Sequence, residues 1–357
     1  MRNILFALLF LLWPVASSAQ LYAMRDKVES GYNFWLYVPN GYKDCRAERQ
    51  RLQAEAKEKQ DSASMAKAKS VRKPLPIVVF LHGRSLSGTD LYKVRKYGTL
   101  DALSAGRRIN AIVIAPQVKT NDWWRPNRVM NVIKWVDERY DVDMSRIYVL
   151  GMSLGAYGAM DFAAAYPKQT AAAMALCGGS TRKPAELAKL NEVPMWIMHG
   201  TADALVPISE SRRVYKAMKE ANADTPRLRY DEFEGAGHSV FARTFYTGEA
   251  YEWLFKHSTK DKSRPVDRTV QIPPSRLNNK PYRGLKFGSV KLKVVDNVGP
   301  VQGNVPPKPQ PQYHTIVSGD TLGHLAIKYK TTVKELCRLN NITEETLLQL
   351  NKKLRVK

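Results

Sequence analysis

Apolar residues in this chain follow two rhythms. Continuous apolar runs at 77–81, 111–115, 147–150, 171–176 and 195–198 are rich in Val, Ile, Leu and Ala, the pattern of strands buried on both faces. An aromatic stretch at 32–39 predicts an earlier strand, and 227–233 predicts a last one. Between these runs the spacing turns helical. Val129, Val132, Ile133 and Val136 recur at the interval of one helix face, 154–166 is rich in Ala, Leu and Met without Pro, and 91–105 has the length of a crossover helix. Tyr251, Trp253, Leu254 and Phe255 predict a closing helix. Strands alternating with helices predict an α/β fold: a mostly parallel, doubly wound sheet covered on both faces, with ligands at the carboxyl ends of its strands.

Two stretches break this rhythm. Residues 43–73 are dominated by Ala, Glu, Lys, Arg and Gln without an apolar stripe, which predicts a solvated, helical surface insertion carrying no chemistry. Residues 258–312 are basic and Pro-containing and end in the Pro-rich 306–311, which predicts a linker or extension; within it 290–295 is a candidate short strand. Pattern resumes at 313–357 as strand, helix, helix, strand. The expected division is therefore a leader at 1–19, a catalytic domain at 20–257, the linker or extension at 258–312 and a small α+β module of βααβ order at 313–357.

The leader follows from Arg2 ahead of the apolar run 4–13 and the small residues of 15–19, the layout of a cleaved secretory signal. The run falls short of the ~20 residues that span a bilayer, so no transmembrane segment is expected in the mature chain. The protein is expected to be exported: periplasmic, associated with the cell envelope, or extracellular. Cys45, Cys177 and Cys337 are too scattered for a disulfide framework or a metal site, and no metal or cofactor is expected. Cys177 ends an apolar run and reads as a small buried hydrophobe. The formal net charge is +23. Most of it lies in 43–73, 258–312 and 313–357, outside the segment that carries the chemistry below. Such basicity suits a protein dwelling near anionic envelope polymers, and no motif supports nucleic-acid binding.

The chemistry centres on Gly151-Met-Ser-Leu-Gly155, a G-x-S-x-G placed between a predicted strand and a predicted helix. Its glycines let the two backbones approach and hold Ser153 in a strained turn, with its hydroxyl above the sheet. A serine hydroxyl needs a base to take its proton and a carboxylate to orient that base. Asp203 and His238 each follow a predicted strand end and come after Ser153 in the order Ser, Asp, His. His199 is the rival base, but its place beside Gly200 suits packing or orienting the Asp loop. Asp161, Asp224 and Asp231 lie within or before predicted elements. An oxyanion hole would draw on the backbone N–H of Leu154 and on the loop His82-Gly83-Arg84-Ser85, at Arg84 or Ser85.

With these motifs in order, residues 32–257 resemble the α/β-hydrolase superfamily, its serine esterase branch in particular. Feruloyl and acetyl-xylan esterases and the phospholipase/carboxylesterase group are similar in this respect. Where some members carry further glycines after His-Gly, this chain has Arg84-Ser85, which leaves open which of the two is the second donor. About sixteen residues separate Cys177 from Pro194, too few for an inserted helical lid, so an open site for an exposed ester is expected. Trp123 and Trp124 follow a strand end and are expected to offer aromatic faces to the substrate.

Residues 313–357 resemble a LysM domain. That resemblance implies binding of peptidoglycan or another N-acetylglucosamine-containing glycan between two loops, here with Gly319, Asp320, Thr321, Leu322, Asn341 and Ile342. Residues 351–353 replace the Gly-Gln of many members. The combined expectation is a secreted serine carboxylic-ester hydrolase acting on acyl esters of polysaccharide or envelope glycan. The alternatives are a prolyl-oligopeptidase-type peptidase and a glycan-binding protein with an inactive hydrolase domain.

Overall fold

A nine-stranded sheet organises the larger part of the computed structural model, which describes residues 18–277, 285–288, 292–296, 312–329, 331–340 and 342–356. Its strands are β1 (Ala19–Met24), β2 (Phe34–Val38), β3 (Leu75–Leu81), β4 (Ile112–Pro116), β5 (Val142–Met152), β6 (Thr170–Leu176), β7 (Met195–Gly200), β8 (Leu228–Phe233) and β9 (Leu292–Val295). They lie in the order β8-β7-β6-β5-β3-β4-β2-β1-β9. Strands β3 to β8 pair in parallel, and β2 runs antiparallel to both its neighbours. Every residue of β3, β4, β6 and β7 is buried, as continuous apolar runs require when helices cover both faces.

The covering helices are α1 (Arg46–Lys59), α2 (Ser62–Ser70), α3 (Thr99–Ser104), α4 (Pro126–Arg139), α5 (Leu154–Ala165), α6 (Pro184–Leu187), α7 (Ser209–Ala221) and α8 (Gly248–Phe255). One core layer joins Phe80, Tyr148, Leu150, Phe245 and Trp253; another joins Met160, Ile197, Val214 and Met218. Burying side chains of this size contributes roughly 2 kcal/mol each before entropy is counted.

Three expectations change. The crossover segment 91–105 is not one helix: a 3₁₀ turn at Leu91–Arg95 is separated from α3 by Gly98. Gly98 has φ +89, and a Cβ there would meet Phe80 Cζ at 2.4 Å, so the strand's aromatic ring dictates the break. Of the two readings for 258–312, residues 258–277 take the extension and not the linker. Val266, Val270 and Ile272 are buried in the main core, and the Arg264 guanidinium donates to the carbonyl oxygens of Thr170 and Glu192, each at 2.7 Å. Further on, β9 pairs in parallel with β1. The first compact unit accordingly runs to Val298 instead of ending at 257, because scattered apolar residues in a basic segment still find the sheet edge. The Pro-rich 306–311 and residues 1–17 of the expected leader lie outside the described residues; Ala19 opens β1.

The insertion 43–73 is helical as expected and is docked by charge. Arg49 pairs with the buried Asp141, whose backbone N–H in turn donates to Tyr42 Oη at 2.7 Å. No described helix is long and apolar enough to cross a membrane.

The second unit, Gly299–Lys357, pairs β10 (Tyr313–Thr315) antiparallel with β11 (Lys353–Arg355) and packs α9 (Leu322–Lys328) and α10 (Val333–Asn340) around Ile316, Leu325, Leu336 and Val356.

Candidate active site

Ser153 sits between β5 and α5 at φ 57, ψ −125, a left-handed conformation that a non-glycine residue adopts only where its surroundings enforce it. The enforcement is visible at Gly155, where a Cβ would fall 1.9 Å from the Leu81 carbonyl oxygen. The Ser153 N–H donates to the Leu176 carbonyl at 2.8 Å, fixing the elbow to the end of β6.

Beside it, the loop after β3 is held by His82. Its Nδ1 lies 2.7 Å from the Gly83 carbonyl and its Nε2 3.3 Å from the Val118 N–H, so the first must donate and the second must accept. That arrangement fits the neutral ring, and burial pushes the imidazole down to about 4 despite the favourable Gly83 carbonyl. Gly83 then passes close to Ser153: a Cβ on it would be 3.5 Å from Ser153 Cβ. Arg84 and Ser85 follow, exposed, in a 3₁₀ turn, with Ser85 Oγ 3.0 Å from Tyr97 Oη. Leu154 and Arg84 each open a helical segment, so neither amide has an acceptor within that segment.

Asp203 lies just beyond β7 with its side chain buried. Its Oδ1 accepts from the N–H groups of Leu205 and Val206, both at 2.9 Å, and its Oδ2 lies 2.6 Å from His238 Nδ1. Burial alone would raise this carboxyl, but the two amides and His238 together hold it below the ordinary aspartate value. With Nδ1–H donating to Asp203, His238 is left with Nε2 as its basic nitrogen. His199 takes the orienting place that the sequence suggests. Its Nε2 lies 3.0 Å from the Val206 carbonyl and 3.2 Å from Asp203 Oδ2, and its Nδ1 lies 2.6 Å from Ser211 Oγ. Burial pushes His199 below its ordinary value against the pull of Val206 and Asp203.

The other carboxylates have separate work. Asp161 accepts from Ser180 and Thr181 and ties down the loop after β6, while Asp231 accepts from Trp196 Nε1 and from Arg229. Asp224 is exposed.

The two tryptophans part company. Trp124 is 4% exposed, stacks edge-on with His82 and Tyr32, and donates from Nε1 to the His82 carbonyl at 3.3 Å. It buttresses the β3 loop and has no face for a substrate, which corrects the expectation for it. Trp123 is 41% exposed and packs edge-on against Tyr157, one helical turn after Ser153.

Two residues near the site escaped the sequence reading. Tyr157 could have been found from its spacing to Ser153. Cys177 is buried as expected, but at φ 50 and with Sγ 3.8 Å from the His238 carbonyl it belongs to the site's floor; burial pushes its thiol well up, away from reactivity. Cys177, His199 and Asp203 place potential metal-ligand atoms within 4.8 Å of one another, with Asp203 already engaged by His238.

In the second unit the expected glycan loop is largely self-engaged. Asp320 Oδ2 lies 2.6 Å from His314 Nε2 and accepts from the Val317 N–H, and Thr321 caps α9 by accepting from the His324 N–H. Leu322 is buried in the small core and Ile342 packs against it, so their side chains serve the fold. Gly319, at φ +91, is exposed with open space around it. Asn341 lies outside the described residues.

Residues 107–258 match the model of the Dienelactone hydrolase family, and residues 314–357 match that of the LysM domain. The first match contains Ser153, Asp203 and His238; the β3 loop precedes it. Among solved structures, the chain is similar to a thermostable esterase at 24% identity, covering 68% of this chain and 64% of that one with a TM-score of 0.47. It is also similar to S-formylglutathione hydrolase from Staphylococcus aureus, at 16% identity over 68% and 99% of the two chains, TM-score 0.45. An acetyl xylan esterase from Aspergillus awamori matches at 18% identity over 62% and 94%, TM-score 0.43. The chain thus spans a little under two thirds of the thermostable esterase. Residues 107–258 are thus similar to the dienelactone hydrolase family, within a mostly parallel α/β sheet, and residues 314–357 are similar to the LysM domain.

Proposed function

We propose that this protein is an exported serine carboxylic-ester hydrolase that acts on acyl esters of cell-envelope or other polysaccharide and is held to N-acetylglucosamine-containing glycan by its LysM domain. The observation that carries the reading is the conjunction of a serine at a left-handed elbow with the 2.6 Å Asp203–His238 pair, all beyond the carboxyl ends of β5, β7 and β8 in the parallel part of one sheet.

In this reading Ser153 Oγ attacks the ester carbonyl while His238 Nε2 takes its proton, and Asp203 stabilises the imidazolium without itself being protonated. The Leu154 amide and that of Arg84 or Ser85 receive the developing oxyanion. The protonated His238 then gives its proton to the leaving alcohol. Water, activated by the same ring, attacks the acyl-enzyme and releases the acid and free Ser153. Only the short α6 and a following turn occupy 178–193, which supports an open cleft suited to esters displayed on a polymer.

Hydrolysis of acetyl, feruloyl and longer acyl esters beside peptidyl amides tests the chemistry; amide cleavage with no ester turnover would favour a peptidase. Removal of 313–357 tests the tether. It is expected to leave kcat/KM for a small soluble ester unchanged while binding to insoluble peptidoglycan falls sharply, since tethering works through effective concentration. Loss of soluble-ester hydrolysis from the folded truncation would make the LysM domain part of the active site.

A further inference from the structure

Near the candidate site stands an arginine whose guanidinium makes no ion pair with another described residue. Arg84 directly follows Gly83, the residue whose backbone passes Ser153. Its guanidinium carbon lies 5.6 Å from the centroid of the Trp123 ring, and Trp123 in turn packs at 5.5 Å against Tyr157, the residue one turn after Ser153. These three side chains therefore form one connected series, from the residue after Gly83, whose backbone passes Ser153, to Tyr157, four residues after Ser153. Arg84 is exposed; its carbonyl accepts from the Ser87 N–H at 3.0 Å, but its guanidinium makes no hydrogen bond or ion pair with another described residue. Arg125 and Arg213 differ in this respect: Arg125 reaches Asp122 at 3.8 Å, and Arg213 reaches Glu210 at 3.8 Å. Glu210, the acid beside this series, is taken up by Tyr157 Oη at 3.1 Å as well as by Arg213.

A guanidinium in cation–π contact with an indole still has N–H groups to present, and their fork matches a carboxylate or a phosphate. The contact also limits the side-chain entropy lost when an anion is gripped. A neutral substrate would gain nothing from this arrangement beyond the aromatic surface. We propose that Arg84, held by Trp123, forms a subsite for an anionic oxyacid group carried near the scissile ester, so that the substrate class is an acyl ester on an acidic saccharide. This rests on the esterase reading and narrows it. The carboxylate of a sugar acid and the phosphate of a sugar phosphate share the required chemistry, and separate substrates distinguish them.

The test compares three O-acetylated probes: methyl glucoside, methyl glucuronoside and methyl glucoside 6-phosphate. The intact protein is expected to prefer at least one anionic probe over the neutral one by roughly tenfold in kcat/KM at low salt, with the difference mainly in KM. In Arg84→Gln that preference ratio should collapse, and Arg84→Lys should restore part of it. A ratio unchanged by Arg84→Gln would overturn the subsite. Binding separates this from failure of the esterase reading. Deacetylated methyl glucuronoside and the 6-phosphate are titrated calorimetrically into Ser153→Ala and into Ser153→Ala/Arg84→Gln, with methyl glucoside as the neutral reference. Anion-selective binding lost only in the double variant supports the subsite even if no probe is hydrolysed. Equal affinity for neutral and anionic probes in both variants overturns it.

Discussion

The two units of this chain solve the placing of functional groups in opposite ways. In the hydrolase unit, the groups proposed to react and those that hold them are different residues. His238 and Ser153 stand partly open, while Asp203, His199, His82 and Trp124 are buried behind them with their hydrogen bonds satisfied. In the LysM unit, the residues of the expected ligand loop are also its scaffold: Asp320 ties His314 to Val317, Thr321 caps α9, and Leu322 fills the core. The difference follows from size. A nine-stranded sheet has enough interior to dedicate residues to support, whereas a unit with a two-stranded sheet of three-residue strands does not.

This contrast predicts that chemistry can be removed from the hydrolase unit without unfolding it. Ser153→Ala and His238→Ala are each expected to lower kcat for a soluble ester by several orders of magnitude while the thermal midpoint holds. The double variant should cost little more than either single one, because such residues act as a unit. Multiplicative losses in the double variant would break the assignment. Asp203→Asn comes next, at about 10⁴ in kcat, because an amide there favours the wrong His238 tautomer. Near-native turnover would move the acid elsewhere.

The support residues should show themselves in stability instead. His82 is neutral in the folded protein down to about 4, against an ordinary value of 6.5. The unfolded chain therefore binds a proton that the folded protein refuses across this window. Stability from the neutral ring is complete above pH 6.5 and is lost as the pH falls toward 4, by about 3 kcal/mol in all. Burial pushes His199 and His257 down as well, so they act in the same direction. A His82 imidazole that titrates near 6.5 by NMR would contradict this. The smallest effect is expected in the other unit. Asp320→Ala should lower the thermal midpoint of the LysM transition and glycan binding together, with soluble-ester turnover unaffected. Loss of binding with an unchanged midpoint would show that ligand contact and scaffold are separable there too.

Much of this was legible in the sequence, and the failures share a cause. Continuous apolar runs located the parallel strands, and the turn residues after them put Ser153, Asp203 and His238 beyond strand ends, where they lie, because period and punctuation are local signals. Trp123 and Trp124 carry the same local signal, yet one is exposed and one supports His82; only the packing of Tyr32 and the β3 loop decides between them. The helix expected at 91–105 was broken by a ring on another strand, Phe80. The basic segment after 257 hid its membership of the core, since its contacts are single residues such as Arg264 and Val266 reaching across the sheet edge. Cys177 read as a buried hydrophobe, which it is, but nothing local marks the chain turn that brings it beneath His238.

The central claim is that Ser153 is a nucleophile activated by His238. Reaction of the intact protein with a fluorophosphonate, followed by mass analysis of the peptides, tests it most directly. The account predicts one stoichiometric adduct on Ser153 that is lost in Ser153→Ala and forms orders of magnitude more slowly in His238→Ala. A folded protein that takes no adduct, or takes it at another residue, would contradict it.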